Sequence, residues 1–217
     1  MAVRHQLVHQ THQEIPAYSH AICYQAVLNL ISDATSPDRL MGQQYDETVM
    51  LPIHVRNQDL YTLCHLYTNK LMLSVLFQDY QKATEEAQKA EELLDSAVGM
   101  PLVPLVNFYQ SLAQLANYAD TSQAEQSVIL QKVAVNQDRL EQWASQAPAN
   151  YLHKFHLIET QRQHILGNKA EAIDLYNRAI SFAKANEYIQ EEALANELAA
   201  KFYLDWGKAA HCWGLPD

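Results

Sequence analysis

NYLHKFHLIETQRQHILG (Asn150–Gly167), NKAEAIDLYNRAISFAKANEYIQ (Asn168–Gln190) and EEALANELAAKFYLDWG (Glu191–Gly207) follow one another without interruption. The stretch is predicted to form three successive helices, broken at Gly167, Asn186 and Gly207, because Gly and Asn favour the left-handed backbone that ends a helix. In the second segment Ala172, Tyr176, Ala179 and Ala183 fall on one helical face, with Ile173 and Ile180 beside them. The third carries Leu194, Leu198 and Phe202, and Ala195 and Ala199 leave room for a neighbouring helix. Each hairpin buries only part of its apolar surface by itself, so neighbours must stack.

A weaker copy lies upstream. Aligning FQDYQKATEEAQKAE (Phe77–Glu91) with LGNKAEAIDLYNRAI (Leu166–Ile180) sets Ala83 on Ala172, Ala87 on Tyr176, Lys89 on Arg178 and Ala90 on Ala179. A small residue early in the helix, a larger one four later and Ala three later is the second-helix pattern of a tetratricopeptide unit. Turns near Gln78, Asp120, Gly167 and Gly207 are spaced 42, 47 and 40 residues apart. The tetratricopeptide period is about 34. The expected fold is therefore all-α, a right-handed α-α superhelix of elongated tetratricopeptide-like hairpins. The expected organisation is a polar tail over 1–14, a single repeat domain over 15–208 with no internal boundary, and an irregular tail over 209–217.

The remaining elements follow from the same periodicity. Ala17–Ile31 is predicted helical, with Pro16 in its first turn, and SDATSPD (Ser32–Asp38) breaks it. A short helix is expected within Arg39–Asp59, a segment that contains Gly42 and Pro52. Leu60–Phe77 is too long and apolar for a strand and reads as a buried helix. Tyr80–Asp95 follows as an amphipathic one, with Ala83, Ala87, Ala90 and Leu94 inward and an outer Glu85–Lys89 pair. Leu105–Ala119 is helical again, through Val106, Tyr109, Leu112 or Ala113, and Ala116. Thr121 or Ser122 with Glu125 forms a capping box for a helix reaching about Gln146.

The chain has 217 residues with only 5 Gly and 7 Pro, which favours helix. Its net charge of −10 works against binding nucleic acid or an anionic membrane. Cys23, Cys64 and Cys212 are an odd number, widely separated, which suits free thiols in a reducing compartment. The first residues carry no apolar signal segment, and no apolar run approaches the ~20 residues of a membrane span. A cytoplasmic protein is expected.

Constellations with chemical potential are few. His5, His9 and His12 share one face of a helix, but no carboxylate or Cys accompanies them at a ligand spacing. His211–Cys212 is an isolated pair in the tail. His153 and His156, flanking Phe155, read as surface or groove histidines. Glu159 and Arg162, one turn apart, make either a buried pair that fixes helix packing or an exposed one of small worth. Glu191, Glu192 and Glu197 fit a solvated face, with Glu197 reaching Lys201. Tyr188, Phe202, Tyr203 and Trp206 read as a core stripe. No phosphate-binding, dinucleotide, zinc-protease, hydrolase or kinase motif is present. The expectation is a non-catalytic chain with no catalytic, cofactor-binding or metal-binding residues.

The run Asn150–Lys208 resembles the helical-repeat region of very large bacterial signalling proteins, common in cyanobacteria. Those proteins join a serine/threonine kinase, an AAA-type ATPase, this helical region, a GAF sensor and a histidine kinase. QTHQEIPAYSHAICYQAVLNL (Gln10–Leu30), MLPIHVRNQDLYTLCHLYTNKL (Met50–Leu71) and VPLVNFYQSLAQLANYAD (Val103–Asp120) look like the same region. The resemblance runs from about Gln10 to Lys208, and none of the family's kinase, ATP-binding or phospho-acceptor residues maps onto it. It implies a scaffold or protein-interaction region whose partners are signalling modules of the same or a neighbouring polypeptide. After Lys208 the chain departs from the family, which continues into a further helix where AAHCWGLPD stands here. The expectation is a fragment whose unfinished last hairpin offers a route to self-association. The alternative is a stand-alone tetratricopeptide-like regulator that binds a peptide or small ligand in its concave groove.

Overall fold

Five helix ends turn through left-handed backbone, and four of them show the same pair of closing hydrogen bonds. At each, one residue takes left-handed backbone: Gln58 (φ 52°), Gln78 (65°), Gly167 (82°), Glu187 (62°) and Gly207 (73°). Around Gln78 the amide of Gln78 donates to the Val75 carbonyl at 3.1 Å, and that of Asp79 to Ser74 at 2.9 Å. The same two bonds recur as Gln58 to Val55 with Asp59 to His54, as Gly167 to His164 with Asn168 to Gln163, and as Glu187 to Lys184 with Tyr188 to Ala183. This paired 5→2 and 6→1 closure satisfies carbonyls the helix end would otherwise orphan. It also starts the next helix at once: Asp59 accepts from the Thr62 amide and Asp79 from the Lys82 amide, both at 3.2 Å.

The structure, a computed structural model, describes residues 14–32 and 36–207. His5, His9, His12, His211, Cys212 and both predicted tails, apart from Glu14, lie outside the described residues. Helix is the dominant structure, and no extended strand occurs among the described residues. The chain divides into two units, Met1–Ala113 and Gln114–Asp217.

The first unit holds α1 (Glu14–Leu30), α2 (Glu47–Arg56), α3 (Leu60–Leu76), α4 (Tyr80–Glu91) and most of α5 (Leu102–Ala116); short turns join α2 to α3 and α3 to α4, and longer connections join α1 to α2 and α4 to α5. The central element is α3, which packs against α1, α2 and α4. Ile22 and Ala26 of α1 meet Leu66 and Leu73 of α3, with Leu40 and Tyr45 of the α1–α2 connection in the same core. Asn29 holds that connection by donating to the carbonyls of Pro37 (2.8 Å) and Arg39 (2.6 Å). Ala83, Ala87 and Ala90 are fully buried, as their spacing requires. The α-helix stops at Glu91, however, and Leu94 sits half-buried in a following 3-10 turn (Leu94–Ala97). The predicted Glu85–Lys89 pair is not made. Lys89 instead reaches Glu86 at 3.3 Å, because Glu86 is drawn inward by Lys70 (3.4 Å). Pro52 is accommodated inside α2.

In the second unit, α6 (Gln123–Gln146), α7 (Pro148–Ile165), α8 (Lys169–Ala185) and α9 (Ile189–Asp205) pack each on the next, and α7 also touches α9. The Ser122–Glu125 capping box opens α6: the Glu125 amide donates to Ser122 Oγ at 3.4 Å and Glu125 accepts from the Ser122 amide at 2.9 Å. The three helices expected over Asn150–Gly207 are present with breaks at the expected residues. Ala172, Tyr176, Ala179 and Ala183 are buried, as are Leu194, Ala195, Ala199 and Phe202. Tyr176 fills the space its small neighbours leave. Its hydroxyl accepts from Gln161 at 2.6 Å and donates to the Leu198 carbonyl at 3.1 Å, linking α7, α8 and α9.

Left-handed backbone costs an L-residue about 1–2 kcal/mol and glycine almost nothing. Gln78→Gly and Glu187→Gly are therefore expected to raise stability by about 1 kcal/mol each, and Gly167→Ala to lower it by a similar amount. Thermal melts followed by circular dichroism at 222 nm check the opposite signs.

Candidate functional site

The most polar buried constellation of the second unit lies where α7 meets α9. Lys154 of α7 is buried, and its Nζ stands 2.8 Å from Glu191 Oε1 of α9 and 2.9 Å from His153 Nε2. The ammonium also sits over the Tyr188 ring, 4.4 Å from its centroid, where the negative face of the ring attracts it. The Tyr188 hydroxyl donates to Asn150 Oδ1 at 2.9 Å, and the His153 ring lies 4.4 Å from that of Tyr188. Lys154 can only donate, so His153 Nε2 accepts and the proton sits on Nδ1. Burial, reinforced by the adjacent ammonium, holds His153 far below the usual histidine range, at about 3. Burial also lowers Lys154, and Glu191 opposes that shift.

Two sequence expectations are corrected here. His153 and His156 are buried, 2 % and 9 % exposed, and are not surface or groove residues. The reason is that α7 is enclosed by α6, α8 and α9, so nearly every side of it is covered. Glu191 does not belong to a solvated face either, since it is the buried partner of Lys154. Glu197 does pair with Lys201 at 2.7 Å on an exposed surface, as its spacing suggested.

Glu159 is a junction. Arg162 grips it with two bonds of 2.9 and 2.6 Å, Gln163 donates at 2.6 Å, and Gln137 of α6 reaches it at 3.4 Å. Gln163 in turn accepts from Asn168 at 2.7 Å, which ties the junction to the α7–α8 turn. Of the two readings open for Glu159 and Arg162, the structure favours the one that fixes packing. These donors, Arg162 first among them, outweigh the burial of Glu159 and hold its carboxyl below the usual range. Phe202 is buried among Tyr176, Tyr203 and Trp206, with ring centroids 5.4–5.8 Å apart. The aromatic stripe is core at Phe202, while Tyr188 has a polar role.

The first unit holds a second buried charge network. Lys70 bridges Glu47 of α2 (3.2 Å) and Glu86 of α4 (3.4 Å) from α3. In this network and in the Lys154 cluster each charge lies beside an opposite one, although Glu86 Oε2 is buried without a hydrogen-bond partner. They tie neighbouring helices together. Among the described residues no group of three or more His, Cys, Asp or Glu could hold a metal ion. Cys23 is exposed and Cys64 buried, both as free thiols. No described helix is long and apolar enough to cross a membrane.

Lys154 and Lys70 escaped sequence reasoning because a single Lys within an apolar helix reads as a surface residue. A signal was available in the register, since Lys154 lies four residues before Ile158, on the same buried face.

Exposed apolar residues mark another part of the second unit. On α6, Val128 (62 % exposed) and Val135 (48 %) stand seven residues apart and so share a face. The chain has no significant match among protein-family models, curated proteins or solved structures.

Below pH 6.5 the unfolded chain takes up a proton at His153 that the folded chain refuses until about pH 3. Unfolding free energy is therefore expected to fall with decreasing pH between these values, His153 alone contributing up to about 1.4 kcal/mol per pH unit. His153→Gln should flatten the urea-unfolding profile between pH 6 and 4. Lys154→Met, which strands the buried Glu191, should cost about 3–5 kcal/mol, and Lys154→Met with Glu191→Leu should recover most of it.

Proposed function

We propose that this chain is a non-catalytic helical-repeat scaffold, the protein-interaction region of a bacterial signal-transduction protein that couples kinase and ATPase modules. The finer architecture belongs to the same proposal: α6–α9 build a right-handed α-α superhelix of tetratricopeptide-like hairpins. The observation that carries the reading is the run α7–α9. Its left-handed residues stand at 167, 187 and 207, one every twenty residues. The turns at 167 and 187 have the same pair of hydrogen bonds, the turn at 207 begins with the same Gly207-to-Leu204 bond, and small residues line the contact faces. A helix pair thus recurs every forty residues, longer than the tetratricopeptide period of about 34.

Stacked hairpins of this kind present side chains to partners through surfaces that do not need to rearrange. The polar clusters described above serve that role by locking one helix to the next. Val128 and Val135 on α6 supply an apolar contact bordered by polar residues, the composition of a protein-binding patch.

The test is a pull-down of purified serine/threonine kinase, ATPase and GAF modules of that protein class by the full chain. Retention of at least one module is expected, weakened at least fivefold by Val128→Asp with Val135→Asp at unchanged melting temperature. Failure to retain any module would remove this reading.

A further inference from the structure

A cleft of about 470 Å³ opens within the first unit, between α1, α3 and the start of α5. That size lies inside the roughly 300–1,000 Å³ of small-molecule sites. Its walls are mainly apolar, formed by Tyr61, Met72, Met100, Leu102, Leu105 and Tyr109. Met72 and Met100 are unbranched and polarisable, so these walls adapt to a ring. Exposed Cys23 and part-exposed Met100 (41 %) mark its solvent side.

Ser19, His20, Thr68 and Asn69 also line the cleft, but the buried ring nitrogens without a partner are those of His65. Both of its ring nitrogens are buried and neither has a hydrogen-bond partner within the protein. The ring is fixed edge-on against Tyr61, with centroids 4.8 Å apart. Burial, with a contribution from His20, holds His65 below the usual histidine range. At neutral pH it is an uncharged imidazole, with one donor and one acceptor to offer. A buried donor or acceptor left unmade is unfavourable, so a ligand that satisfies it gains affinity as well as orientation. His20, Cys23 and His65 all line the cleft, and among the described residues they form no group of three able to share one ion.

We propose that this cleft binds a small, uncharged aromatic molecule carrying a single hydrogen-bonding group, with the rings against the Met and Leu walls and that group on His65. The uncharged character follows from the walls, which are mainly apolar and carry no Asp, Glu, Lys or Arg. The site lies in the first unit and shares no residue with the α6 patch, so module capture and ligand binding can fail independently.

The probe is 2-naphthol, titrated into the full chain by calorimetry and by ¹⁵N spectra of the histidine rings, with naphthalene as the comparison. The expected result is saturable binding of one molecule per chain, a shift larger at the His65 nitrogens than at those of any other described histidine, and naphthalene about tenfold weaker. Leu105→Trp, which fills the cleft, should abolish binding, and His65→Leu should remove the preference for the hydroxyl. Absence of saturation, unshifted His65 nitrogens in the wild-type chain, equal affinity for naphthalene, or undiminished binding by a folded Leu105→Trp protein would each overturn the proposal. The wild-type spectra make the test independent of whether either variant folds.

Discussion

The structure depends on how a helix is stopped and the next begun within three residues. A left-handed residue flanked by two reversed hydrogen bonds turns the chain at Gln58, Gln78, Gly167 and Glu187, and Gly207 opens with the same bond. Because the turn is so short, consecutive helices must lie against each other, and the residues at their crossing must be small. Ala83, Ala87 and Ala90 meet this requirement on α4, as do Ala172, Ala179 and Ala183 on α8. Turn geometry and alanine spacing are thus one constraint seen twice. Local backbone chemistry and long-range packing specify the same arrangement, the consistency expected of a chain with a single native state.

Polar groups then fix what apolar packing leaves adjustable. Alanine-lined faces can slide along one another, since small side chains offer little relief. Lys154 between Glu191 and Tyr188 pins α7 to α9, and Glu159 pins α6, α7 and the following turn. In the first unit Lys70 does the same for α2, α3 and α4. Buried ion pairs of this kind contribute little net stability over apolar residues of similar volume. Their value here is register: an offset helix would strand a charge away from water.

The helices were largely legible in the sequence and the polar interior was not. Ala172, Tyr176, Ala179 and Ala183 announce one buried stripe, and the Ser122–Glu125 box announces the start of α6. By contrast α7 is covered on nearly every side, so helical periodicity carries no information about which of its residues are inside. His153 and His156 therefore passed as surface or groove histidines, and Lys154 drew no reading. Glu191 was misread for a related reason, because its two neighbours in the acidic set, Glu192 and Glu197, are on accessible positions of the same helix. The turns at Gly167, Gly207 and Gln78 were found, and the one at Glu187 was placed one residue early, at Asn186; Gln58 was missed because glutamine does not favour left-handed backbone. The His65 cleft has no linear signature at all, since its walls come from α1, α3 and the start of α5.

The account rests on the recurrence of one turn, so backbone NMR of the full chain at residues 58, 78, 167, 187 and 207 tests it most directly. Three-bond amide couplings and Cα shifts characteristic of left-handed backbone are predicted at all five positions, including the three that are not glycine. Right-handed helical values at Gln58, Gln78 or Glu187 would mean continuous helix through that position, and the repeat would dissolve with it.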